Sequence, residues 1–245
     1  MFQYMECINE KLKEVASKEV EAMNQTIELL TETNSKKRSI FIFGASHAGI
    51  LAEELYYRAG GMMTINAIFG REIMLDRQPI QFTSQMERLE GYGTALAATV
   101  DFKEEDVLIL HSVSGRNSVI IDLALAAKEK GVKIVALTNL TYSKSVTSRH
   151  SSKKRLFELA DIVIDNHGDI GDACCELPGI EQKAGPTSTV IGAAILNTIV
   201  VETAKKMIEN GVKYPPIFYS ANIDGGDQLN QELFESYKES IHYRL

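Results

Sequence analysis

The passage from Val107 to Asn117, VLILHSVSGRN, constrains the fold more than any other stretch of this chain. Its first five residues are apolar or nearly so and rich in branched side chains, which is typical of a strand buried on both faces of a sheet. An amphipathic helix follows from about Ser118. The chain therefore carries a group of small polar residues from the end of a buried strand to the N-terminus of a helix.

The turn in this passage has the donors that an anionic group needs. A helix N-terminus offers unpaired backbone N–H groups and a partial positive charge. Ser112, Ser114 and Asn117 add side-chain donors around Gly115. We therefore predict a phosphate-binding turn. In the alternative interpretation Ser114 or Asn117 only caps the helix, and this stretch alone leaves both open.

Further strands and helices alternate along the chain. Their order predicts a parallel sheet with right-handed crossovers and helices on both faces, which is a doubly wound, three-layer α/β/α fold. Ligands of such folds bind beyond the carboxyl ends of the strands. Besides the central strand, strands are predicted at 39–43, 62–69, 132–138 and 162–164, and a loop at 139–152. Helices are predicted at 50–58, 86–99 with an interruption near Gly91 and Gly93, 119–130, 153–160 and 189–209.

A long helix precedes this α/β region. Apolar residues recur at steps of three and four from Met5 to Leu30, with no glycine or proline to interrupt them. We predict three parts: an N-terminal helical extension over 1–38, a ligand-binding domain over 39–210, and a C-terminal tail over 211–245 that becomes helical near Gln228.

Composition and charge argue against several classes of binding partner. The formal net charge of −7 argues against nucleic acid, whose phosphates need a basic face. The N-terminus has no signal-peptide core, and no window approaches the ~20 apolar residues of a membrane span. We therefore predict a cytoplasmic protein without a membrane partner. Cys7, Cys174 and Cys175 give neither a disulfide framework nor the spacing of a metal site, so no metal is predicted.

Two more turns have small polar residues at the start of a helix. In FGASHAG, Gly44 permits a tight turn after a buried strand, and Ser46 and His47 lie where an anion can dock. In GPTS, Thr187 and Ser188 precede a helix that is apolar nearly all round. Several hydroxyl-bearing turns beside buried strands are a stronger indication of anion binding than one.

The two turns FGASHAG and HSVSGRN, with Thr138–Asn139, KRLFELADIVID and GPTSTVIGAAILN, together resemble the sugar isomerase (SIS) domain family. The resemblance covers about 39–201, and the N-terminal helix with the tail passage SANIDGGD is similar to a bacterial branch of that family. It implies a flavodoxin-like, phosphosugar-binding α/β domain. Members include aldose–ketose isomerases of phosphorylated sugars and sugar-responsive regulators.

Carried over by position, Ser112 and Ser114 match the family's phosphate-binding serines. Asn117 stands where the family usually has Thr or Ser, and the first turn departs further, because Ser46 replaces the second glycine of the family pattern. The resemblance implies phosphosugar contacts from Gly44, Ser46, His47, Ser112, Ser114, Gly115, Asn117, Thr187 and Ser188.

Isomerisation moves a proton between adjacent carbons, so it needs a base and a group that stabilises the enediolate oxygens. The candidate bases are Glu54, Glu176 and Glu181, and His47 could open a sugar ring or polarise a carbonyl. Glu54 has an alternative role as an ion-pair partner of Arg58 at the i, i+4 spacing.

Two functions of different classes follow. One is a phosphosugar isomerase or related lyase that acts on a sugar phosphate or amino-sugar phosphate without metal or organic cofactor. The other is a non-catalytic phosphosugar sensor that regulates a partner protein. The apolar terminal helices predict a homodimer or homotetramer with pockets completed by a neighbouring subunit.

Overall fold

A computed structural model describes residues 2–244 and contains a five-stranded, all-parallel sheet with the order β2-β1-β3-β4-β5. In this flavodoxin-like order the strand sequence reverses direction between β1 and β3. The predicted doubly wound α/β/α fold is confirmed. The strands are β1 (Ile40–Gly44), β2 (Ile65–Ala67), β3 (Val107–His111), β4 (Lys133–Thr138) and β5 (Ile162–Asp165).

Helices cover both faces of the sheet because its strands alternate two apolar sets. Ile40 and Ile42 of β1 join one buried cluster, while Phe41 and Phe43 join another on the opposite face. The helices are α1 (Gln3–Lys18), α2 (Val20–Ser35), α3 (Ile50–Leu55), α4 (Gln81–Arg88), α5 (Tyr92–Ala97), α6 (Ser118–Glu129), α7 (Leu140–Ser145), α8 (Ser188–Glu209) and α9 (Gly226–Tyr237).

The N-terminal helix is divided in two at Glu19. The backbone of Glu19 leaves the helical range (φ −100°, ψ 9°), so α1 ends before it and α2 begins after it. The Glu19 carboxylate accepts hydrogen bonds from the backbone N–H of Asp165 (3.1 Å) and from His167 Nε2 (2.8 Å). These contacts with the end of β5 fix the position of Glu19. The residue pattern near Glu19 does not predict them, because the partners are distant in sequence.

Three other boundaries differ from those predicted. The expected loop 139–152 contains α7, because the Asn139 side chain accepts a hydrogen bond from Tyr142 N (2.8 Å) and caps that helix. The expected helix 153–160 is a single 3-10 turn, Leu156–Glu158. The expected strand 62–69 is shortened to β2, because Met62 pairs in the antiparallel sense with Ile217 of the tail.

The C-terminal segment after α8 packs on the edge strand β2 and on residues that precede β1 and β2. Asn66 of β2 donates to the carbonyls of Ile40 (3.1 Å) and Ser240 (2.9 Å), and the Ser39 hydroxyl lies 2.8 Å from His242 Nε2. The division of the chain at residues 38 and 210 stays a prediction.

Within residues 2–244, no helix has both the length and the apolar character that crossing a membrane would require.

Candidate functional site

The two predicted turns lie side by side where the strand order reverses. Gly44, the last residue of β1, is paired with His111, the last residue of β3. A 3-10 turn, Ser46–Gly49, folds back over the end of β1 so closely that a Cβ on Gly44 would lie 2.3 Å from the Ala48 carbonyl oxygen. Only glycine therefore permits this approach. The crevice between the two turns is the expected ligand position of a doubly wound sheet.

The turn after β3 is held by the protein itself. The N–H of Gly115 donates to Ser112 Oγ (3.2 Å), and the hydroxyl of Thr138 donates to the Ser112 carbonyl (2.7 Å). Gly115 has a φ of +58°, and a Cβ there would lie 2.9 Å from Ser143 Oγ. Within residues 2–244, the half-buried Ser114 hydroxyl makes no hydrogen bond and is free to donate to a ligand.

Asn117 does not cap α6 with its side chain. Its Nδ2 donates to Glu87 Oε2 (2.7 Å), and its Oδ1 accepts from Arg149 (2.7 Å). Ser46 of the first turn lies close enough to Glu87 to lower the pKa of its carboxyl group. Asn117 and Ser46 thus approach one carboxyl group from the two turns.

The charges around this carboxyl group are mostly positive. Burial raises the pKa of Glu87, although Asn117, Arg88, Ser46 and Arg149 all act in the opposite direction. Burial lowers the pKa of Arg149, and the charges of Arg116 and Arg88 lower it further. The guanidinium groups of Arg116 and Arg88 therefore both lie close enough to repel that of Arg149 beside the turn.

His111 is buried at the end of β3, with 1% of its surface exposed. Its Nδ1 donates to the Ala48 carbonyl (3.0 Å), while its buried Nε2 has no hydrogen-bond partner among the described residues. Burial lowers the pKa of His111, and the hydrogen bond to Ala48 and the charge of Asp172 oppose that shift. The imidazole is thus held neutral, with one nitrogen unused.

Thr187 and Ser188 lie at the N-terminus of α8 and are both buried. Their hydroxyls donate to the Asp172 carboxylate (3.1 and 2.5 Å), and both backbone N–H groups donate to it as well (3.2 and 2.9 Å). A negatively charged group of the protein therefore occupies the donors that were predicted to contact a ligand.

Among residues 2–244, no hydrogen bond or ion pair joins any two of the four predicted catalytic residues. Glu54 accepts hydrogen bonds from Arg58 and from Asn197 of α8 (3.0 Å), which includes the ion pair considered as its alternative role. His47 is exposed in the 3-10 turn after β1, and Glu176 and Glu181 are exposed in the loop before α8. Within residues 2–244, no hydrogen bond or ion pair connects the three glutamates with the turns after β1 and β3.

Sequence reasoning missed His111, Glu87 and Arg149. His111 had a usable signal, because it is the one polar residue of an otherwise apolar strand. The other two gave none, since each contacts the site from a different part of the chain.

The three cysteines are closer in space than in sequence. Cys174 Sγ lies 3.7 Å from Cys175 Sγ, and the Cys7 thiol of α1 is within hydrogen-bonding reach of Cys174. Burial, followed by these thiols, raises the pKa of Cys174 to about 12. Among residues 2–244, no group of three or more His, Cys, Asp or Glu side chains is arranged to hold a metal ion.

The structure is similar in fold to solved isomerases. A phosphoheptose isomerase from Francisella tularensis superposes with a TM-score of 0.57 at 14% identity, over 82% of this chain and 95% of that one. A phosphoheptose isomerase from Neisseria gonorrhoeae gives a TM-score of 0.53 at 15% identity, over 84% and 95%. At such identities the likeness concerns the fold alone.

Similarity in sequence is much higher to bacterial UPF0309 proteins. One from Shouchella clausii is 47% identical over 98% of each chain, and one from Oceanobacillus iheyensis is 48% identical over 99% of this chain and 98% of that protein. The SIS domain family model matches residues 3–139, which is more than half of the chain. The resemblance seen in the sequence is confirmed, and this chain belongs to the SIS domain family.

Proposed function

We propose that the chain binds a sugar phosphate in the crevice between the turns after β1 and β3, and that it interconverts the aldose and ketose forms of that sugar without metal or organic cofactor. The observation that carries the proposal is the free Ser114 hydroxyl in the turn that leads to α6, together with Arg149, which binds Asn117 at the start of that helix. The solved isomerases of the same fold support it.

The arginines indicate an anionic ligand. Arg88 and Arg116 both repel Arg149, and within residues 2–244 none of the three forms an ion pair with a carboxylate. A phosphate ester carries up to two negative charges, and arginine binds it through charge-assisted hydrogen bonds. A bound phosphate would relieve the repulsion between the guanidinium groups. The predicted contacts from Gly44, Ser46, His47, Ser112, Ser114, Gly115 and Asn117 belong to this proposal.

Thermal unfolding tests the binding step. We expect fructose 6-phosphate, glucosamine 6-phosphate or ribose 5-phosphate to raise the melting temperature, and the unphosphorylated sugars to leave it unchanged, because a ligand stabilises the state that binds it. The double variant Ser112→Ala/Ser114→Ala should bind at least tenfold more weakly, since each charge-assisted hydrogen bond contributes about 1.5–3 kcal/mol. Ser236→Ala, on the exposed face of α9, is the matched control. Equal shifts from sugars and sugar phosphates would contradict the proposal.

Deuterium exchange separates an isomerase from a sensor. The protein is incubated in D2O with the sugar phosphates that bind, and exchange at the carbon next to the carbonyl is followed by NMR. Exchange supports the isomerase, while binding without exchange identifies a sensor. Single variants Glu54→Gln, Glu176→Gln, Glu181→Gln and His47→Gln test the predicted catalytic residues in the same assay.

We also propose that the chain forms a homodimer or homotetramer in the cytoplasm. An apolar groove of about 390 Å³ runs between α1, α2 and α8. Val20 and Val201 are about half exposed on this side of the molecule, at 50% and 48%. Sedimentation of the wild type and of Val201→Glu tests the association, and a monomeric wild type would contradict it.

A further inference from the structure

Glu87 is a half-buried carboxyl group at the crevice that has no role in the contacts predicted above. It lies near the end of α4, accepts a hydrogen bond from Asn117 at the N-terminus of α6, and is close enough to Ser46, after β1, for that side chain to lower its pKa. A carboxylate repels a phosphate ester, so Glu87 is unsuited to bind the phosphate itself. A carboxyl group in the same crevice can instead act on the sugar.

The surroundings of Glu87 shift the pKa of its carboxyl group in opposite directions. Burial favours the neutral acid, whereas the hydrogen bond from Asn117, the nearby Ser46 side chain and the charges of Arg88 on its own helix and Arg149 on the loop after α7 favour the carboxylate. Burial outweighs the other groups, so the pKa of Glu87 is raised above its ordinary value, the direction that suits a carboxyl group which takes up and releases a proton.

We propose that Glu87 is the catalytic base of the aldose–ketose interconversion and that Asn117 positions it, an inference that rests on the proposed function. The Glu87 carboxylate removes a proton from the carbon next to the carbonyl, the electron pair of that C–H bond forms the C=C bond of an enediolate, and the carbonyl π pair moves onto its oxygen. That oxygen takes up the proton of the neighbouring hydroxyl, whose oxygen becomes the new carbonyl oxygen. The electrons of the C=C bond take the proton back from the Glu87 carboxylic acid at the former carbonyl carbon. The step is redox-neutral and restores the carboxylate.

This role explains why position 117 holds an amide where the family usually has a hydroxyl. Asn117 donates to Glu87 through Nδ2 and accepts from Arg149 through Oδ1, both at 2.7 Å. An amide presents a donor and an acceptor on two separate atoms, whereas Ser or Thr has a single oxygen on a shorter side chain. Asn117 thereby fixes the carboxyl group with respect to the guanidinium.

Glu87→Gln is the main test, with Glu90→Gln as its matched control. Glu90 lies three residues further on, and its exposed carboxylate accepts from Ser151 outside the crevice. With the sugar phosphate that most stabilises the wild type, we expect Glu87→Gln to keep the thermal shift and to lose at least 100-fold in the exchange rate. Glu90→Gln should keep both. Glu87→Asp should retain measurable exchange, because it keeps the carboxyl group.

The outcomes separate this inference from the proposed function. If no sugar phosphate shifts the wild-type melting temperature, the proposed function fails and the inference fails with it. If sugar phosphates bind the wild type without exchange, binding stands and the inference is overturned. An exchange rate of Glu87→Gln within threefold of the wild-type rate overturns it as well. The inference is also overturned if Glu87→Gln and Glu87→Asp each lose both sugar-phosphate binding and exchange.

Asn117→Ser tests the positioning role through the pH dependence of exchange. The hydrogen bond from Asn117 favours the charged form of Glu87, so its loss should raise the pKa of Glu87 further. We expect the rising limb of the exchange rate to move to higher pH. A uniform drop in rate with an unmoved limb would show that Asn117 acts on structure alone and would overturn its assigned role.

Discussion

At the scale of single residues, the neutral state of His111 has a consequence for stability. Burial lowers the pKa of His111 in the folded protein, while an unfolded chain restores the ordinary value near 6.5. Below that value the unfolded state takes up a proton that the folded state refuses. Stability is therefore lost as pH falls from about 6.5 towards the folded pKa, by up to about 1.4 kcal/mol per pH unit for one such group.

The variant His111→Gln tests this coupling. Urea unfolding at pH 7 and pH 5 should show a smaller loss of stability on acidification in His111→Gln than in the wild type. His47→Gln is the control, because it makes the same substitution at an exposed histidine. An equal loss in His111→Gln and the wild type would mean that other groups cause the acid sensitivity.

Single residues of the candidate site also differ in whether the sequence alone can predict them. Ser112 and Ser114 are predictable, because the strand that presents them lies next to them in the chain. Glu87 and Arg149 are not, since they meet at Asn117 from positions 30 residues before it and 32 residues after it. Their contacts depend on how α4 and the loop after α7 pack, which no local pattern specifies.

At the scale of elements, α5 and α6 pack so closely at Gly93 that no side chain fits between them. A Cβ on Gly93 would lie 2.2 Å from the Val119 carbonyl oxygen and 2.6 Å from Asp122 Cβ. The Asp122 carboxylate also accepts from the N–H groups of Gly91 (2.7 Å) and Gly93 (3.2 Å). The start of α5 is thus bound directly to α6, whose N-terminus belongs to the candidate site.

Gly93→Ala should separate these helices. We expect the free energy of unfolding to fall by about 1–3 kcal/mol, because the added methyl group has no space in the contact. Thr94→Ala, at the next and exposed position, should change it by less than about 0.5 kcal/mol. Urea midpoints of the two variants make the comparison, and a Gly93→Ala protein as stable as the wild type would refute the close contact.

Elements differed in how well the sequence specified them. The strands β1, β3 and β4 follow from continuous apolar runs, and α6 follows from its own periodicity and the glycine after it. The division between α1 and α2 does not, because Glu19 is held by His167, 148 residues away. Propensity over 3–33 favours one continuous helix, and the tertiary contact overrides it.

At the scale of the whole molecule, the C-terminal segment packs against the β2 edge of the sheet. Phe218, Leu233 and Ile241 form a third buried cluster with Met63, which precedes β2. The Tyr243 hydroxyl donates to the Met63 carbonyl (2.6 Å). Because β2 is an edge strand, the segment also shields backbone groups that could otherwise pair with another chain.

Truncation after Gly211 is therefore expected to destabilise the entire domain. The uncovered β2 edge and the exposed Met63 should give a protein that unfolds at lower urea concentration and aggregates. Phe218→Ala tests the same contact in a full-length chain and should cost about 3–5 kcal/mol, the usual effect of removing a buried aromatic side chain. Ile223→Ala is the control, because Ile223 is 61% exposed in the same segment. If Phe218→Ala matches the wild type in its urea midpoint, the segment is an appendage, and the sheet is stable without it.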